Sequence, residues 1–173
     1  DGVLNIVVGI GHQIGPALVA EDAVRKISFT GSLRAGQELG RLAAERILPL
    51  TLELGGKSAN IVFADADLEA AAIGSVRAFT WNTGQWCAAG TRLLVDASIH
   101  DAFVERFVAN VAALKLGPDE GGLGPITTLA QFEKVQSYFD VARKDGATLA
   151  IGGKVGGGPG LDGGWYVEPT VYT

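Results

Sequence analysis

The 173-residue sequence predicts an α/β fold, in which part of a doubly wound parallel sheet is followed by part of a second α/β domain. Two observations predict it. Three short apolar segments alternate with two helical segments ahead of Gly55-Gly56, as one half of a doubly wound sheet requires. The glycine pair then interrupts the alternation, so we expect a first domain over residues 1–56 and a second over residues 57–173.

The first domain is expected to hold three strands and two helices. The third strand, Leu50–Leu54, is expected to be largely buried because it is rich in leucine. The predicted elements in order are a strand at residues 3–8, a helix from near Pro16, a strand at residues 26–30, a helix from Gly31-Ser32 to about Ile47, and the strand that ends at Glu53.

Glycines follow the first predicted strand in a pattern close to a dinucleotide-binding fingerprint. Gly9, Gly11 and Gly15 are spaced Gly-x-Gly-x-x-x-Gly, one residue longer than the usual form. No acidic residue stands at the end of the next strand to hold a ribose. The phosphate site is therefore expected later in the chain.

The turn at Gly31-Ser32 offers a better anion site. It joins a strand to a helix, and Ser32 stands at the N-cap position. Because the first N–H groups of a helix have no partner within the helix, a pyrophosphate could rest on Ser32 and the first turn. A capped helix with nothing bound explains the same residues equally well.

The second domain is expected to alternate strands and amphipathic helices. Asp67 is expected to cap one helix, and Thr128 with Gln131 forms a capping box for another that ends near Gly146. The other predicted elements are strands at residues 59–63, 92–95, 148–151 and 166–171, a helix at residues 101–115, and loops at residues 116–125 and 152–164, the last with eight glycines.

Cys87 is the only cysteine in the sequence. Gly84 lies three residues before it and Gly90 three after, which suits a backbone that bends to present a thiol and lets a carbonyl approach main-chain N–H groups. Cys87 is therefore a candidate nucleophile. A lone cysteine is also compatible with a small buried apolar residue.

Glu53 precedes Cys87 by 34 residues and stands beside two glycines. Burial at the end of an apolar strand favours the protonated form of a carboxyl group, so that the group exchanges its proton closer to neutral pH. A general base that works near neutral pH needs this property. A carboxylate solvated at a strand end is the alternative reading.

Composition excludes several classes of function. The net charge of −5 and the absence of a basic stripe give no reason to expect a nucleic-acid or membrane partner. One cysteine cannot form an internal disulfide, and with two histidines it offers no metal-ligand spacing, so we expect no metal. No signal peptide is visible, and a cytoplasmic location is expected. The sequence lacks methionine, so we expect it to be a fragment.

Four segments together resemble the aldehyde dehydrogenase superfamily. The resemblance is specific, follows the order of the family's motifs, and covers about a third of a typical member. Its segments are Leu52-Glu53-Leu54-Gly55-Gly56-Lys57, Gly84-Gln85-Trp86-Cys87, Phe29-Thr30-Gly31-Ser32 with Gly36, and Val167-Glu168-Pro169-Thr170-Val171.

The resemblance implies a Rossmann-like cofactor-binding domain followed by a catalytic domain, with NAD or NADP as cofactor. Cys87 would attack the aldehyde to give a thiohemiacetal, hydride transfer would leave a thioester, and Glu53 would activate the water that hydrolyses it. The backbone N–H of Cys87 would help to hold the oxyanion.

The same resemblance assigns further residues. Gly31, Ser32 and Gly36 would support the pyrophosphate, while Thr30 and Leu54 would lie near the nicotinamide. The full-length parent would be a homo-oligomer, either dimer or tetramer. Thr80 and Trp81 replace the usual aromatic pair, and Trp86 is bulky for the position before the nucleophile. Trp81 and Trp86 are candidates either for the wall of an apolar substrate pocket or for ordinary core.

Two other classes of function remain. A thiol hydrolase needs a histidine beside Cys87, and His12 and His100 are the only histidines, neither in a recognisable motif. The fragment alone could also be a non-catalytic domain. We expect the isolated chain to be inactive, because the resemblance places part of the oxyanion hole and of the cofactor site outside it.

Overall fold

The computed structural model describes residues 2–119 and 121–173. The chain forms two compact units, Asp1–Gly56 and Lys57–Thr173. The division falls at the glycine pair where the sequence analysis places a domain crossing. The roles assigned to the two domains, cofactor binding and catalysis, stay predictions.

The first unit is built on a parallel strand pair. Strand β1 pairs with strand β2 in a register that runs from Ile27↔Leu50 to Gly31↔Leu54. A parallel pair needs a crossover connection, which helix α2 supplies. The elements in order are α1 (Gly11–Ala20), β1 (Ile27–Gly31), α2 (Leu33–Glu45) and β2 (Leu50–Leu54).

The prediction of a strand at residues 3–8 is wrong. These residues form no strand, and their apolar side chains are exposed, with fractions from 64% for Val7 to 99% for Val3. A strand exists only through hydrogen bonds to a neighbour, and in the described part of this unit β1 pairs with β2 alone. The β-branched composition was therefore insufficient to define the element.

Helix boundaries in the first unit also differ from the predictions. Helix α1 begins at Gly11 and contains Pro16 in its interior, instead of starting near that proline. Helix α2 ends at Glu45, and Ile47 adopts the left-handed φ of 54° in the turn that follows. The backbone N–H of Leu48 then donates to the Ala43 carbonyl at 2.9 Å and closes the helix end.

Strand β2 is less buried than its leucines predict. Leu50 and Leu54 are half-buried, whereas the three residues between them are exposed. Those two leucines lie beside glycines of α2, Leu50 near Gly40 and Leu54 near Gly36. Burial of this strand therefore comes from contact with α2 at its two ends.

The second unit contains two separate strand pairs and three helices within the described residues. Strands β3 and β4 are parallel, from Ala59↔Arg92 to Val62↔Val95, whereas β5 and β6 are antiparallel. Its elements are β3 (Ala59–Val62), α3 (Leu68–Thr80), a 3₁₀ turn (Trp81–Gly84), β4 (Arg92–Val95), α4 (His100–Ala112), α5 (Leu129–Lys144), β5 (Leu149–Ile151) and β6 (Val171–Tyr172).

The core of the second unit lies between α3, α4 and β3. The rings of Phe103 and Phe107 stack with centroids 5.9 Å apart, and Phe79 meets Phe107 at 5.8 Å. Burying an aromatic or aliphatic side chain of this size contributes about 1.5–3 kcal/mol. The buried members of the cluster are Val62, Ala72, Val76, Phe103, Phe107 and Val111.

Side-chain caps appear where the sequence predicts them. Asp67 accepts hydrogen bonds from the backbone N–H groups of Glu69 and Ala70 at 3.0 and 3.1 Å, and Thr128 accepts one from Gln131 at 3.3 Å. Helix α5, in contrast, buries no residue completely, so its predicted inward face is only half-buried.

The last strand is shorter than predicted. It covers Val171–Tyr172 instead of residues 166–171. Pro169 has no N–H to donate to a ladder, and the Thr170 hydroxyl donates to the Glu168 carbonyl at 2.8 Å. The Gly153 N–H donates to the same hydroxyl, and within the described chain residues 166–168 pair only through an isolated antiparallel bridge, Val155↔Val167. In addition, no helix among the described residues is long and apolar enough to span a bilayer.

Candidate active site

The turn between β1 and α2 has the geometry of a capped helix start. The Ser32 backbone is extended, with φ −74° and ψ 151°, and its hydroxyl accepts a hydrogen bond from the Ala35 N–H at 3.2 Å. The Gly36 N–H donates to the Ser32 carbonyl at 2.9 Å. The N-cap prediction for Ser32 is confirmed, while its role toward a pyrophosphate stays a prediction.

Gly36 makes a close contact with β2. A Cβ at this position would lie 2.7 Å from Cδ2 of Leu54, which is too close for a carbon–carbon contact. Gly36 is buried and lets the helix approach the strand. Its position gives it a packing role, whatever part it has in a phosphate site. Gly31 is similarly crowded, because a Cβ there would lie 2.5 Å from Cζ of Phe29.

The strand register brings predicted catalytic and cofactor-binding residues together. Thr30 pairs with Glu53, and Gly31 pairs with Leu54, at the carboxyl ends of β1 and β2. Paired residues of adjacent strands direct their side chains to the same face of the sheet. Thr30 and Glu53 are both exposed on that face. Because Glu53 is exposed, the prediction that it belongs to a largely buried strand is wrong.

A cleft of about 820 Å³ opens in the first unit. It lies among α1, β1 and α2, and includes Ser32 and Arg34 at the start of α2. Small-molecule sites typically have volumes of roughly 300–1,000 Å³, so the cleft has the size of a ligand site.

The turn that leads to Cys87 is left-handed. Asn82, Thr83 and Gly84 have φ of 49°, 55° and 73° in succession. A left-handed helical conformation costs about 1–2 kcal/mol for each residue other than glycine, and a β-branched residue such as Thr83 is uncommon there. Other contacts must therefore stabilise this turn.

Gln85 supplies most of these contacts. Its side-chain oxygen accepts hydrogen bonds from both the backbone N–H and the hydroxyl of Thr127, each at 2.9 Å. Its amide nitrogen lies 3.4 Å from the Pro125 carbonyl and 3.5 Å from that of Asn82. The Thr83 hydroxyl donates to the Gly124 carbonyl at 3.2 Å. We refer to the contacts of Thr83 and Gln85 with residues 124–127 as the loop clamp.

Sequence reasoning assigns no role to Thr127. The one available signal is Gln85 itself, whose amide group needs partners for both its oxygen and its nitrogen. Nothing in the sequence says that those partners lie about forty residues further on.

Cys87 is exposed on the loop that follows the left-handed turn. The alternative of a buried apolar cysteine is therefore wrong. On the far side of the loop, the Gly90 N–H donates to the Ala78 carbonyl at 2.8 Å. A Cβ on Gly90 would lie 3.3 Å from the Cβ atoms of Ala78 and Asn60, so this glycine packs closely against α3 and β3. The thiol is presented between two fixed points of the chain.

The two candidate pocket tryptophans are not core residues. Trp81 is 68% exposed and Trp86 is 40% exposed. The reading of these rings as ordinary core is wrong, and their place in a substrate pocket stays a prediction.

Other chemistry would need a cluster of metal ligands or a histidine beside Cys87. No group of three or more histidine, cysteine, aspartate or glutamate side chains there could hold a metal ion. Nδ1 of His100 lies 2.8 Å from an Asp101 carboxylate oxygen, and no hydrogen bond within the second unit joins His100 to Cys87. His12 lies in the first unit, on α1.

Comparison with known proteins identifies the family. The model of the aldehyde dehydrogenase family matches residues 1–173, so the chain belongs to that family. Its α/β fold is correspondingly that of aldehyde dehydrogenases.

Individual relatives agree. A betaine aldehyde dehydrogenase of Mesorhizobium japonicum is 45% identical over 100% of this chain and 36% of its own length. An NAD-dependent aldehyde dehydrogenase from Sinorhizobium meliloti superposes with a TM-score of 0.93 at 41% identity, covering 99% of this chain and 34% of that one. Betaine aldehyde dehydrogenase from Staphylococcus aureus, solved in complex with NAD⁺, gives a TM-score of 0.92 at 37% identity, covering 96% and 34%. The chain thus spans about a third of the length of these relatives.

Proposed function

We propose that this chain is part of an enzyme that oxidises an aldehyde to a carboxylate with NAD or NADP, using Cys87 as nucleophile and Glu53 as base. One observation carries the proposal: in a member of the aldehyde dehydrogenase family, the sole cysteine is exposed on a clamped loop. Metal-assisted chemistry has no candidate ligand cluster among the described residues.

In the proposed covalent step, the Cys87 thiolate attacks the carbonyl carbon, and the carbonyl oxygen becomes the oxyanion of a thiohemiacetal. Within the described residues, the backbone N–H of Cys87 makes no hydrogen bond, so it is available to donate to that oxyanion. When bound, a nicotinamide cofactor would supply the hydride acceptor for the thiohemiacetal, which would leave a thioester on Cys87.

Glu53 is proposed to serve the hydrolytic half of the reaction. Its exposed carboxylate can accept a proton from water as that water attacks the thioester carbon, after which the carboxylic acid product leaves and the thiolate is restored. Since Thr30 is the strand partner of Glu53, the base belongs to the same edge of β1 and β2 as the proposed cofactor residues.

The proposed cofactor site is the turn from β1 into α2. Gly31 and Ser32 begin the turn, and the 820 Å³ cleft reaches Ser32. The N–H groups of the first helical turn are suited to phosphate oxygens. Gly36 and Leu54 shape the site through their mutual contact, and Thr30 and Leu54 are proposed to lie near the nicotinamide.

A quaternary ammonium aldehyde is the substrate candidate that the comparisons favour. The relative from Mesorhizobium japonicum is named for betaine aldehyde. Exposed indole rings attract such cations; Trp81 begins the 3₁₀ turn before Cys87, and Trp86 is the residue directly before it. The two rings are therefore proposed to line the substrate pocket.

The full-length protein is proposed to be a cytoplasmic homo-oligomer, with no nucleic-acid or membrane partner. The 173-residue chain alone is proposed to be inactive.

Cofactor titration and aldehyde turnover, measured on both the full-length protein and this chain, test these statements. If the full-length protein oxidises no aldehyde with either cofactor, the proposed function is wrong. A binding domain without catalysis is then the better description.

A further inference from the structure

The loop clamp links Cys87 to a segment that the proposed mechanism does not use. Thr127 donates two hydrogen bonds to one oxygen of Gln85, one from its backbone and one from its hydroxyl. Gln85 is two residues from Cys87 and directly follows the left-handed turn. The hydroxyl bond is the part of this contact that depends on which side chain occupies position 127.

The turn also makes hydrogen bonds that are local in sequence. Its internal bonds are Gln85 N–H to the Asn82 carbonyl at 3.0 Å and the Asn82 side-chain amide to the Gln85 carbonyl at 3.1 Å. Both lie within the turn itself, so neither fixes the turn relative to the rest of the unit. The contacts to residues 124–127 are the side-chain hydrogen bonds that join the turn to a segment distant in sequence.

We propose that Thr127 is a positioning residue for the nucleophile, acting through Gln85 to hold the Cys87 thiol where an aldehyde can be attacked. The proposal rests on the proposed function, because it gives Cys87 the role of nucleophile. Because one hydrogen bond makes only a modest net contribution to stability, losing the hydroxyl should loosen the loop without unfolding the unit.

Thr127→Val tests the proposal in the full-length protein. This change keeps the shape of the side chain and the backbone donor but removes the hydroxyl. We expect kcat/KM for the aldehyde to fall about 3- to 10-fold, the effect of one hydrogen bond, with an unchanged Kd for the cofactor. Alkylation of Cys87 by iodoacetamide, followed by the mass of the peptide that contains it, should slow by a similar factor. Thr127→Ser should restore both rates.

Thr128→Val is the matched control. Thr128 caps helix α5 and makes no bond to Gln85, so its loss should lower Tm while both rates stay within about twofold. A second variant, Gln85→Met, removes every hydrogen bond that the Gln85 side chain makes in the loop clamp. It should lower kcat/KM and slow the alkylation of Cys87 more than Thr127→Val does.

The outcomes are separable from those of the proposed function. If Thr127→Val behaves like the wild type, or if Thr128→Val reproduces its effects, the positioning role is wrong. Slower alkylation with unchanged kcat/KM also contradicts it, because the loop would then be loosened without catalytic consequence. A wild-type protein without turnover ends the proposed function, and the alkylation rates still decide whether Thr127 holds the thiol.

Discussion

Thr30 and Glu53 are direct neighbours on the parallel strands β1 and β2. Thr30 is the residue before the last of the strand that leads into the proposed phosphate turn, and Glu53 is the proposed base. Because the carboxyl ends of parallel strands meet at one edge of a sheet, both residues lie at the edge where open α/β sheets bind their ligands.

Replacement of Cys87 tests the nucleophile. In the full-length protein, Cys87→Ala should abolish aldehyde oxidation and leave the Kd for the cofactor within about threefold, because binding and covalent chemistry use different residues. Steady-state kinetics and cofactor fluorescence measure the two effects. Turnover near the wild-type rate would remove Cys87 from the mechanism.

Replacement of Glu53 separates the two halves of the reaction. If Glu53 activates only the hydrolytic water, Glu53→Gln should release one equivalent of reduced cofactor and then stop as a thioester on Cys87. Rapid-mixing absorbance and intact mass measure the burst and the adduct. Glu45→Gln, an exposed change on α2, is the control and should turn over normally. Loss of the burst itself would show that Glu53 acts on the thiol.

Gly36 and Gly40 form a matched pair on α2. Replacing either glycine with alanine should stabilise the helix by about 1 kcal/mol, because alanine has the higher helix propensity. A Cβ at position 40 lies 3.8 Å from Leu50, an ordinary contact, whereas at position 36 it lies 2.7 Å from Leu54. Overpacking costs roughly 1–3 kcal/mol, so Gly36→Ala should be less stable than Gly40→Ala by about that amount. Urea denaturation of the two variants measures the difference, and equal midpoints would contradict the close contact.

Asp96 provides a pH-dependent contact. The Ser98 hydroxyl, which donates at 2.6 Å, and then the Ser98 backbone N–H at 2.9 Å hold the pKa of Asp96 below its ordinary value. A lowered pKa contributes stability above the unfolded value near 3.8, and this contribution is lost as pH falls through the folded value. Ser98→Ala should raise the pKa of Asp96, as followed by carboxyl NMR titration. An unchanged titration would show that the hydroxyl bond is unimportant.

The isolated 173-residue chain should associate. Residues 3–8 expose their apolar side chains, and contiguous apolar surface favours association. We expect sedimentation velocity to show oligomers, which Ile6→Lys together with Val8→Lys should dissociate, and we expect neither preparation to oxidise an aldehyde. A monodisperse, active monomer would contradict both expectations.

Local chemistry was enough to predict several elements. Ser32, Asp67 and Thr128 were identified as caps from residue type and position alone, and each makes its predicted hydrogen bond. A cap depends on atoms within three residues, so sequence contains what is needed. The parallel pairing of β1 and β2 also followed from the helix between them.

Features that depend on distant neighbours could not be predicted in this way. The segment at residues 3–8 has strand composition but makes no strand pair, and Glu53 is exposed because its strand is covered mainly at its ends. The contact between Gln85 and Thr127 joins two loops that have no periodic pattern. Pairing, burial and loop contacts are properties of the folded unit.

The separation of Gln85 from Thr127 has a consequence for synthesis on the ribosome. The two residues are 42 positions apart, so the turn at residues 82–84 emerges well before the segment that fixes it. A contact of this sequence separation forms only after the intervening chain has been made and has closed into a loop. Nascent chains that end before Thr127 should therefore carry a thiol that is already translated but not yet held in its final orientation.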